Sequence, residues 1–208
     1  MNKLMTFIMA FFLLYSTSAI SAGKVGLKVG FGELDANKKS YTAGSTTYAA
    51  QSVVEQSGMA AIFGEIDITP VEGLSVGLEY IPLEAEISLE RKEGDTSTTV
   101  DNAATAYLMY KTPVGIFVKA GYFQADIGSV KNPNSTSVNS QSDKLEGPML
   151  GLGFETAELS NGISLRLEGT HVELDEIQIT TTSNGSDSVK KRADGELTQI
   201  GFSVVKSF

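Results

Sequence analysis

The most restrictive feature of the sequence is the stretch KVGLKVGFGEL, residues 24–34, in which apolar residues alternate strictly with small or polar ones. A period of two is typical of a β-strand whose faces meet different surroundings. The two faces carry Val25, Leu27, Val29 and Phe31 on one side and Gly26, Lys28, Gly30 and Gly32 on the other. In a soluble sandwich the polar face carries larger side chains that are in contact with water. A polar face made mainly of glycine therefore indicates a strand whose polar face lines a narrow interior.

The same alternation predicts eight strands along the chain. They are residues 24–34, 59–69, 74–81, 104–112, 116–125, 149–156, 163–170 and 197–208. Treating VELDEIQITT, residues 172–181, as a separate strand would support a count of ten, and this alternative stays open.

The connections between these strands alternate in length. PVEG, PVG and AELSNG are short and have the Pro, Gly and Asn-Gly chemistry of tight turns. Residues 35–58, 91–102, 129–147 and 180–195 are long, polar and without an apolar period, which predicts loops. Because antiparallel strands place every second connection at the same end, the short turns share one end with both chain termini and the long loops share the other.

The first 22 residues, MNKLMTFIMAFFLLYSTSAISA, have the layout of a secretory signal peptide. A lysine precedes an apolar run of about a dozen residues, which is shorter than the roughly 20 that a membrane-spanning helix needs. We predict cleavage after Ala22, with Ala19 as the alternative, and a helical anchor as the competing interpretation. Residues 23–208 then form one domain.

The composition narrows the classes of function. The chain has 25 Asp and Glu against 16 Lys and Arg, which argues against nucleic acid as a partner. It has no cysteine, so an exported chain of this kind must be stabilised by a core or by closure of its sheet rather than by disulfides.

With its signal-like start, its strand count, its rhythm of short turns and long loops, and its last residue Phe208, the chain resembles the small outer-membrane β-barrels of Gram-negative bacteria, of the OmpA transmembrane-domain, OmpX and opacity-protein type. The resemblance implies an all-β fold, namely an eight-stranded antiparallel up-and-down transmembrane β-barrel, with periplasmic termini and four extracellular loops. It also implies an assembly signal in the last strand, which Phe202 and Phe208 fit, although Lys206 stands where a hydrophobic residue is common. The implied partners are outer-membrane lipid, lipopolysaccharide and the barrel-assembly machinery.

In a barrel of this kind the apolar faces meet lipid and the other faces meet a lumen just wide enough for side chains. The glycines expected on the inward side make room for charged groups; they are Gly26, Gly30, Gly77, Gly121, Gly151, Gly153 and Gly201. The charged residues expected there are Lys28, Glu65, Asp67, Glu79, Lys111, Lys119, Glu155, Arg166 and Glu168.

Charges in so narrow a space must pair, because an isolated buried charge is very costly. We expect Arg166 to meet Glu155 or Glu168, and Lys28 and Lys119 to meet carboxylates such as Glu79. The alternative interpretation of these residues is a polar pathway for ions.

Aromatic residues near the ends of the predicted strands indicate the girdles at the two membrane interfaces. They are Phe31, Tyr80, Tyr110, Tyr122 and Phe154, joined by Phe202 and Phe208. The alternation changes phase after Pro82, which predicts a β-bulge, and suggests that the third and seventh strands continue past the membrane as an extended sheet.

A metal cluster or a hydrolytic acid/base pair could be assembled from His171, Glu173, Asp175 and Glu176. Some barrels of the family are lipid A acylases or deacylases with a His-x-Ser pair, but position 173 is Glu here. We therefore predict no catalytic residue, no metal, no cofactor and no enzyme activity.

The sequence favours a structural or surface-interaction role, either in membrane integrity or in adhesion or binding through the loops, with an unidentified extracellular ligand. A narrow porin is the main alternative. A lipid A-modifying enzyme and a secreted lipocalin-like barrel are less favoured.

Overall fold

The computed structural model describes residues 23–43, 46–68, 71–82, 85–89, 96–128, 138–140, 144–159, 161–183 and 187–208. All of its regular elements in these ranges are β-strands. They are β1 (Gly23–Lys38), β2 (Tyr41–Ala43), β3 (Thr46–Tyr48), β4 (Gln51–Asp67), β5 (Leu74–Ile81), β6 (Ala85–Leu89), β7 (Thr96–Lys111), β8 (Ile116–Ile127), β9 (Val138–Ser140), β10 (Lys144–Glu155), β11 (Ile163–Ser183) and β12 (Asp187–Ser207).

Eight of these strands form a closed antiparallel barrel. Each long strand pairs with the next long strand along the chain, and β1 pairs with β12 from Lys24–Ser207 to Lys38–Ala193, which closes the sheet. The short strands β6 and β9 pair with β7 and β11, and β2 and β3 form a separate hairpin. The predicted eight-stranded up-and-down barrel is confirmed.

The ten-strand alternative is wrong. Residues 172–181 do not form a separate strand, because β11 runs from Ile163 to Ser183 and pairs with β12 throughout, with one register shift between Leu174 and Ile177.

The strands are longer than the apolar pattern predicts. β11 and β12 have 21 residues each, and β4 begins at Gln51, so much of the four predicted loops is extended sheet. The pattern missed these extensions because sequences such as QSVVEQSG, residues 51–58, have no regular apolar alternation. The predicted extension of the seventh strand is present in β11.

The third strand also continues beyond Pro82, as predicted. β5 ends at Ile81 and β6 begins at Ala85, and both pair with β7. Between the pairs Ile81–Ala103 and Ala85–Val100 the register shifts by one residue, with the extra residue on the side of the third strand. A second bulge lies in β7, between Asp101 and Ala104 in the pairing with β8, where Asn102 has a φ of 52°.

The two faces of the wall differ as the alternation predicts. Large apolar side chains form a continuous exposed band on the outside, with Phe31 76% and Leu152 62% exposed. The charged residues at the opposite parity, such as Lys28 and Arg166, are buried inside. Soluble monomers rarely expose so much contiguous apolar surface.

Backbone hydrogen bonds link the turns around one end of the barrel, which we call the turn end. The carbonyl groups of Gly73, Gly115 and Gly162 accept from the amides of Lys111, Glu155 and Ser207, respectively. All three glycines have positive φ, which glycine adopts at no steric cost. The amide of Phe208 donates to the carbonyl of Gly23 at 2.9 Å, which joins the last strand to the first.

The described part of the chain contains no helix long and apolar enough to cross a membrane. The predicted signal peptide and its cleavage site lie outside the described residues, and the first strand begins at Gly23.

Candidate functional site

The lumen contains the densest collection of charged groups in the described part of the barrel. At its centre Arg166, fully buried, donates to both oxygens of Glu65 at 2.6 and 2.8 Å and to Glu155 at 2.6 and 2.9 Å. Tyr107 also donates to Glu65, at 2.8 Å. Such bidentate pairing of a guanidinium group with a carboxylate gives both strength and fixed geometry.

A second cluster is organised around Glu168. Its two oxygens accept from Lys28 at 2.9 Å and from Lys119 at 2.6 Å, and Lys28 also donates to Glu79. Arg166 therefore contacts Glu155, one of its two expected partners, but not Glu168. Its pairing with Glu65 was not anticipated.

The remaining two expected lumen residues lie nearer the turn end. Lys111 donates to Glu155 at 2.6 Å and is partly exposed, and Asp67 is more exposed still. Lys24, which was not among the predicted lumen residues, is buried and lies 3.9 Å from Asp67. The alternation in β1 indicates this position, because Lys24 lies on the same face of the strand as Lys28.

With Lys24 included, the positive and negative groups of the described lumen balance. Five cationic side chains face five carboxylates, namely Lys24, Lys28, Lys111, Lys119 and Arg166 against Glu65, Asp67, Glu79, Glu155 and Glu168. Burial of charge in this space is therefore compensated by pairing.

Aromatic rings occupy the space beside three of the seven inward glycines, which the strand pattern did not predict. A Cβ at Gly26, Gly77 or Gly153 would lie within 2.4 Å of the ring of Phe63, Tyr107 or Phe117, respectively. Only Gly201 of these inward glycines has a charged side chain as its nearest neighbour, since a Cβ there would lie 2.7 Å from Cδ of Lys28. Glycine thus makes room for a charged side chain at Gly201 and for rings at three of the other six inward positions.

These rings also contact the cations. The ammonium group of Lys119 lies 4.3 Å from the centroid of the Tyr107 ring, and the guanidinium carbon of Arg166 lies 4.9 Å from that of Phe63. Such cation–π contacts strengthen when water is excluded. The rings and ion pairs together fill the middle of the barrel.

Towards the other end, the loop end, the lumen is filled by apolar side chains. The buried cluster there includes Phe123, Ala125, Met149, Val172 and Leu174. The residues predicted for the lumen were glycines and charged residues, so this apolar layer was not anticipated. The alternation identifies the inward face but does not require that face to be polar.

The residues predicted for the girdles lie on the outer face at two levels. Tyr110 and Phe154 are near the turn end and about half exposed, whereas Phe31, Tyr80 and Tyr122 lie towards the loop end. Tyr80 is partly buried and donates to Asn102 at 3.1 Å. Phe202 and Phe208 lie on the outer face of the last strand, and Lys206 donates to the carbonyl of Asn161 in a turn at 2.6 Å.

The structure does not bring together the acidic residues that follow His171. Nδ1 of His171 lies 3.1 Å from the hydroxyl of Thr198, Asp175 accepts from Tyr122, and Glu176 pairs with Lys39. The hydrogen bond that Lys39 donates to Glu176 raises the pKa of the Lys39 ammonium group. Within the described residues, no group of three His, Cys, Asp or Glu side chains is placed to hold a metal ion.

A model of the protein family described as outer membrane protein beta-barrel domain matches residues 6–208. No curated protein matches the chain in sequence.

Two solved structures share the fold at low identity. OprG, an outer membrane protein from Pseudomonas aeruginosa, is 14% identical with a TM-score of 0.63, over 88% of this chain and 95% of OprG. The outer membrane protein AlkL, solved by solid-state NMR in lipid bilayers, is 12% identical with a TM-score of 0.56, over 93% of this chain and 94% of AlkL.

Proposed function

The chain belongs to the outer membrane protein beta-barrel domain family, and from that premise we propose that it is a closed barrel with a structural or surface-interaction role. The family membership confirms the resemblance inferred from the sequence and makes this an outer-membrane β-barrel protein.

The observation that carries the proposal is the filled lumen. Arg166, Lys28 and Lys119 each have buried carboxylate partners, and the apolar layer around Phe123 and Val172 lies between them and the loop end. An ion crossing the barrel would have to break buried ion pairs and also enter an apolar region, and both steps are costly. A closed barrel interacts with other molecules through its loop end and its outer wall.

The proposed placement has the turn end and both termini in the periplasm and the four loop regions outside the cell. Residues 1–22 serve as the export signal, and the last strand, with Phe202 and Phe208, is read by the barrel-assembly machinery. The outer wall meets lipid and lipopolysaccharide, with the aromatic residues at the two interfaces. The role is then membrane integrity or contact with an extracellular partner, without catalysis.

Planar-bilayer recording tests whether the lumen is closed. The refolded wild-type barrel should give no discrete conductance steps, whereas an established porin inserted under the same conditions should give them. A double variant, Phe123→Ala with Val172→Ala, removes bulk from the apolar layer and serves as an internal comparison. Discrete steps from the wild-type protein would favour the narrow-porin alternative.

Complementation separates the two roles that a closed barrel allows. A strain lacking the chain is supplied with the wild type or with a variant whose residues 129–137 are replaced by a two-residue turn. Leakage of a large antibiotic reports membrane integrity, and attachment to a surface reports contact through the loops. Equal leakage and attachment in the strain lacking the chain and in the wild type would contradict both roles.

A further inference from the structure

A groove of about 550 Å³ lies on the outer wall of the barrel, across β4, β1, β12 and β11. Two adjacent rows of outward-facing residues form most of its lining, and they are Val29, Phe31, Gly58, Ala60, Ile200 and Phe202. None of these residues is polar, and Val29 and Phe31 are 59% and 76% exposed. We call this space the wall groove.

The wall groove exists because small residues interrupt the exposed apolar band. Gly58 pairs with Phe31 and faces outward, and a Cβ built there would meet no atom within 4 Å. At Gly30, by contrast, a Cβ would lie 2.1 Å from the carbonyl oxygen of Ile200. The barrel itself therefore needs no glycine at position 58, and the space beside it is open to a molecule on the lipid side.

The wall groove lies where the apolar band meets a charged zone. Outward positions of β1 are apolar from Val25 to Phe31, and the next two outward residues are Glu33 and Asp35. Alternate residues of a strand are roughly 7 Å apart, so the first carboxylate is about one side chain beyond the groove. A molecule that fills the groove therefore ends beside these charges at the edge of the apolar band.

The charged zone is acidic. Across β4, β1, β12 and β11 its two rows are Gln56–Glu33–Thr198–His171 and Val54–Asp35–Glu196–Glu173. Glu33 and Asp35 accept from the neutral donors Gln56 and Ser52 at 2.6 and 3.0 Å. Within the described residues none of the four carboxylates pairs with a Lys or Arg. The zone therefore keeps its negative charge and attracts cations.

We propose that the wall groove holds an acyl chain of a membrane lipid whose headgroup carries an ammonium group. The occupant is a lipid because the groove opens onto the hydrocarbon that surrounds an outer-membrane barrel. Glu33 and Glu196 are diagonal neighbours across β1 and β12, which places both within reach of one headgroup. The ammonium group donates to them, whereas an anionic headgroup meets like charges. Such a site rests on the proposed contact of the outer wall with lipid.

Fluorescence quenching in vesicles tests this site, because the chain has no tryptophan and one introduced Trp reports on lipid at a single place. Leu27→Trp puts the reporter one outward position from Val29, and Leu108→Trp puts it on β7, which β5 separates from the groove. The vesicles contain equal amounts of phosphatidylethanolamine and phosphatidylglycerol, with brominated chains on one or the other. Leu27→Trp should show a preference for phosphatidylethanolamine of roughly threefold or more, and Leu108→Trp should show none.

The possible results separate this site from the proposed function. Equal association of the two lipids at both reporters would overturn the site and leave the closed lumen unaffected. The same preference at both reporters would assign the effect to the bilayer as a whole and would overturn the site as well. If neither lipid quenched either reporter, the contact of the outer wall with lipid would itself be contradicted.

A variant that fills the groove locates the acyl chain. In the Leu27→Trp protein, Gly58→Leu should abolish the preference, since the new side chain occupies the space that the chain needs. Ala120→Leu adds the same side chain to the outward face of β8 and should keep the preference. Equal preference in these two variants would overturn the proposal.

A second variant locates the headgroup and does not depend on how Gly58→Leu folds. Glu33→Gln with Glu196→Gln changes two exposed carboxylates to neutral amides and should also abolish the preference. Sodium chloride at about 1 M should weaken the preference of the unchanged carboxylates, because charges are then screened within about 3 Å. A preference that persists in the double Gln variant would overturn the role of the charged zone.

Sedimentation in detergent examines the competing occupant, which is a second copy of the chain. The wild-type barrel should sediment as a monomer, as should Gly58→Leu. A wild-type dimer that Gly58→Leu abolishes would assign the groove to an interface between barrels and overturn the lipid site.

Discussion

At the scale of single residues, the lumen makes each charged side chain dependent on partners from distant strands. Arg166 in β11 makes two of its four hydrogen bonds to Glu65 in β4, a strand that is not its neighbour in the sheet. All three side chains of this cluster, including Glu155, are almost completely buried. Removal of one member leaves the others with a charge that water cannot easily reach.

Arg166→Ala should therefore destabilise the folded barrel by about 3–5 kcal/mol, as expected when a buried ion pair loses one partner. Combining it with Glu65→Ala should cost less than the sum of the two single changes, because the second change removes a carboxylate left unpaired. Urea unfolding in lipid vesicles measures all four proteins. Arg192→Ala removes an exposed guanidinium near Glu176 and should cost less than about 1 kcal/mol. Strict additivity would mean that Arg166 and Glu65 do not interact.

Strand parity was sufficient to predict which side chains face the lumen. It could not predict which of them meet, because contacts such as Arg166–Glu65 cross the lumen and depend on the tilt and stagger of the closed sheet. It also could not predict that rings such as Tyr107 fill the space beside Gly77, since an apolar residue has no preference between lipid and a packed lumen. Lys24 could have been predicted, because it shares the parity of Lys28.

At the scale of strands, the apolar period identified the membrane-facing part of each barrel strand and missed the rest. The predicted last strand, 197–208, is the outward-alternating part of β12, which begins ten residues earlier at Asp187. The missed part of β12, residues 187–196, contains only Val189 and Ala193 as apolar residues, so periodicity carries no signal there. Backbone pairing, set by the register of the inner part, continues the sheet there.

The end of β12 is also where the barrel closes, so we expect assembly to depend on it. Deletion of Phe208 removes both its exposed ring and the hydrogen bond from its amide to Gly23, whereas Phe208→Ala removes only the ring. Deletion should lower the amount of folded barrel in cell envelopes, measured by the mobility shift between heated and unheated samples. If Phe208→Ala lowers it equally, the ring is the recognised feature. Normal levels for both variants would show that Phe208 is incidental.

At the scale of the whole molecule, the exposed apolar band fixes how the barrel sits in the membrane. Leu152 lies in that band, whereas Leu159 has a similar exposure, 56% against 62%, but lies in a turn at the turn end. Leucine thus occurs at two positions of nearly equal exposure, one in the apolar band and one in a turn. Making the same substitution at both separates the effect of lipid from the effect of the substitution.

Leu152→Arg should destabilise the barrel in lipid vesicles by about 2–4 kcal/mol if its position is near the midplane, because a charge on the lipid face is costly there. Leu159→Arg should have little effect, since its side chain can reach water. Unfolding by urea in vesicles measures both. Equal stability of Leu152→Arg and the wild type would contradict the assignment of the outer face.

The balance of charges inside the lumen determines what an approaching molecule senses from outside. Five positive and five negative groups cancel there, so the net charge of −9 carried by the whole sequence must come from other parts of the chain. At physiological ionic strength that surface field reaches about 8 Å before it is screened. Because the interior charges cancel, they contribute no net field outside the barrel. The remaining charge makes the protein behave as a polyanion, which concentrates counter-ions and repels acidic polymers.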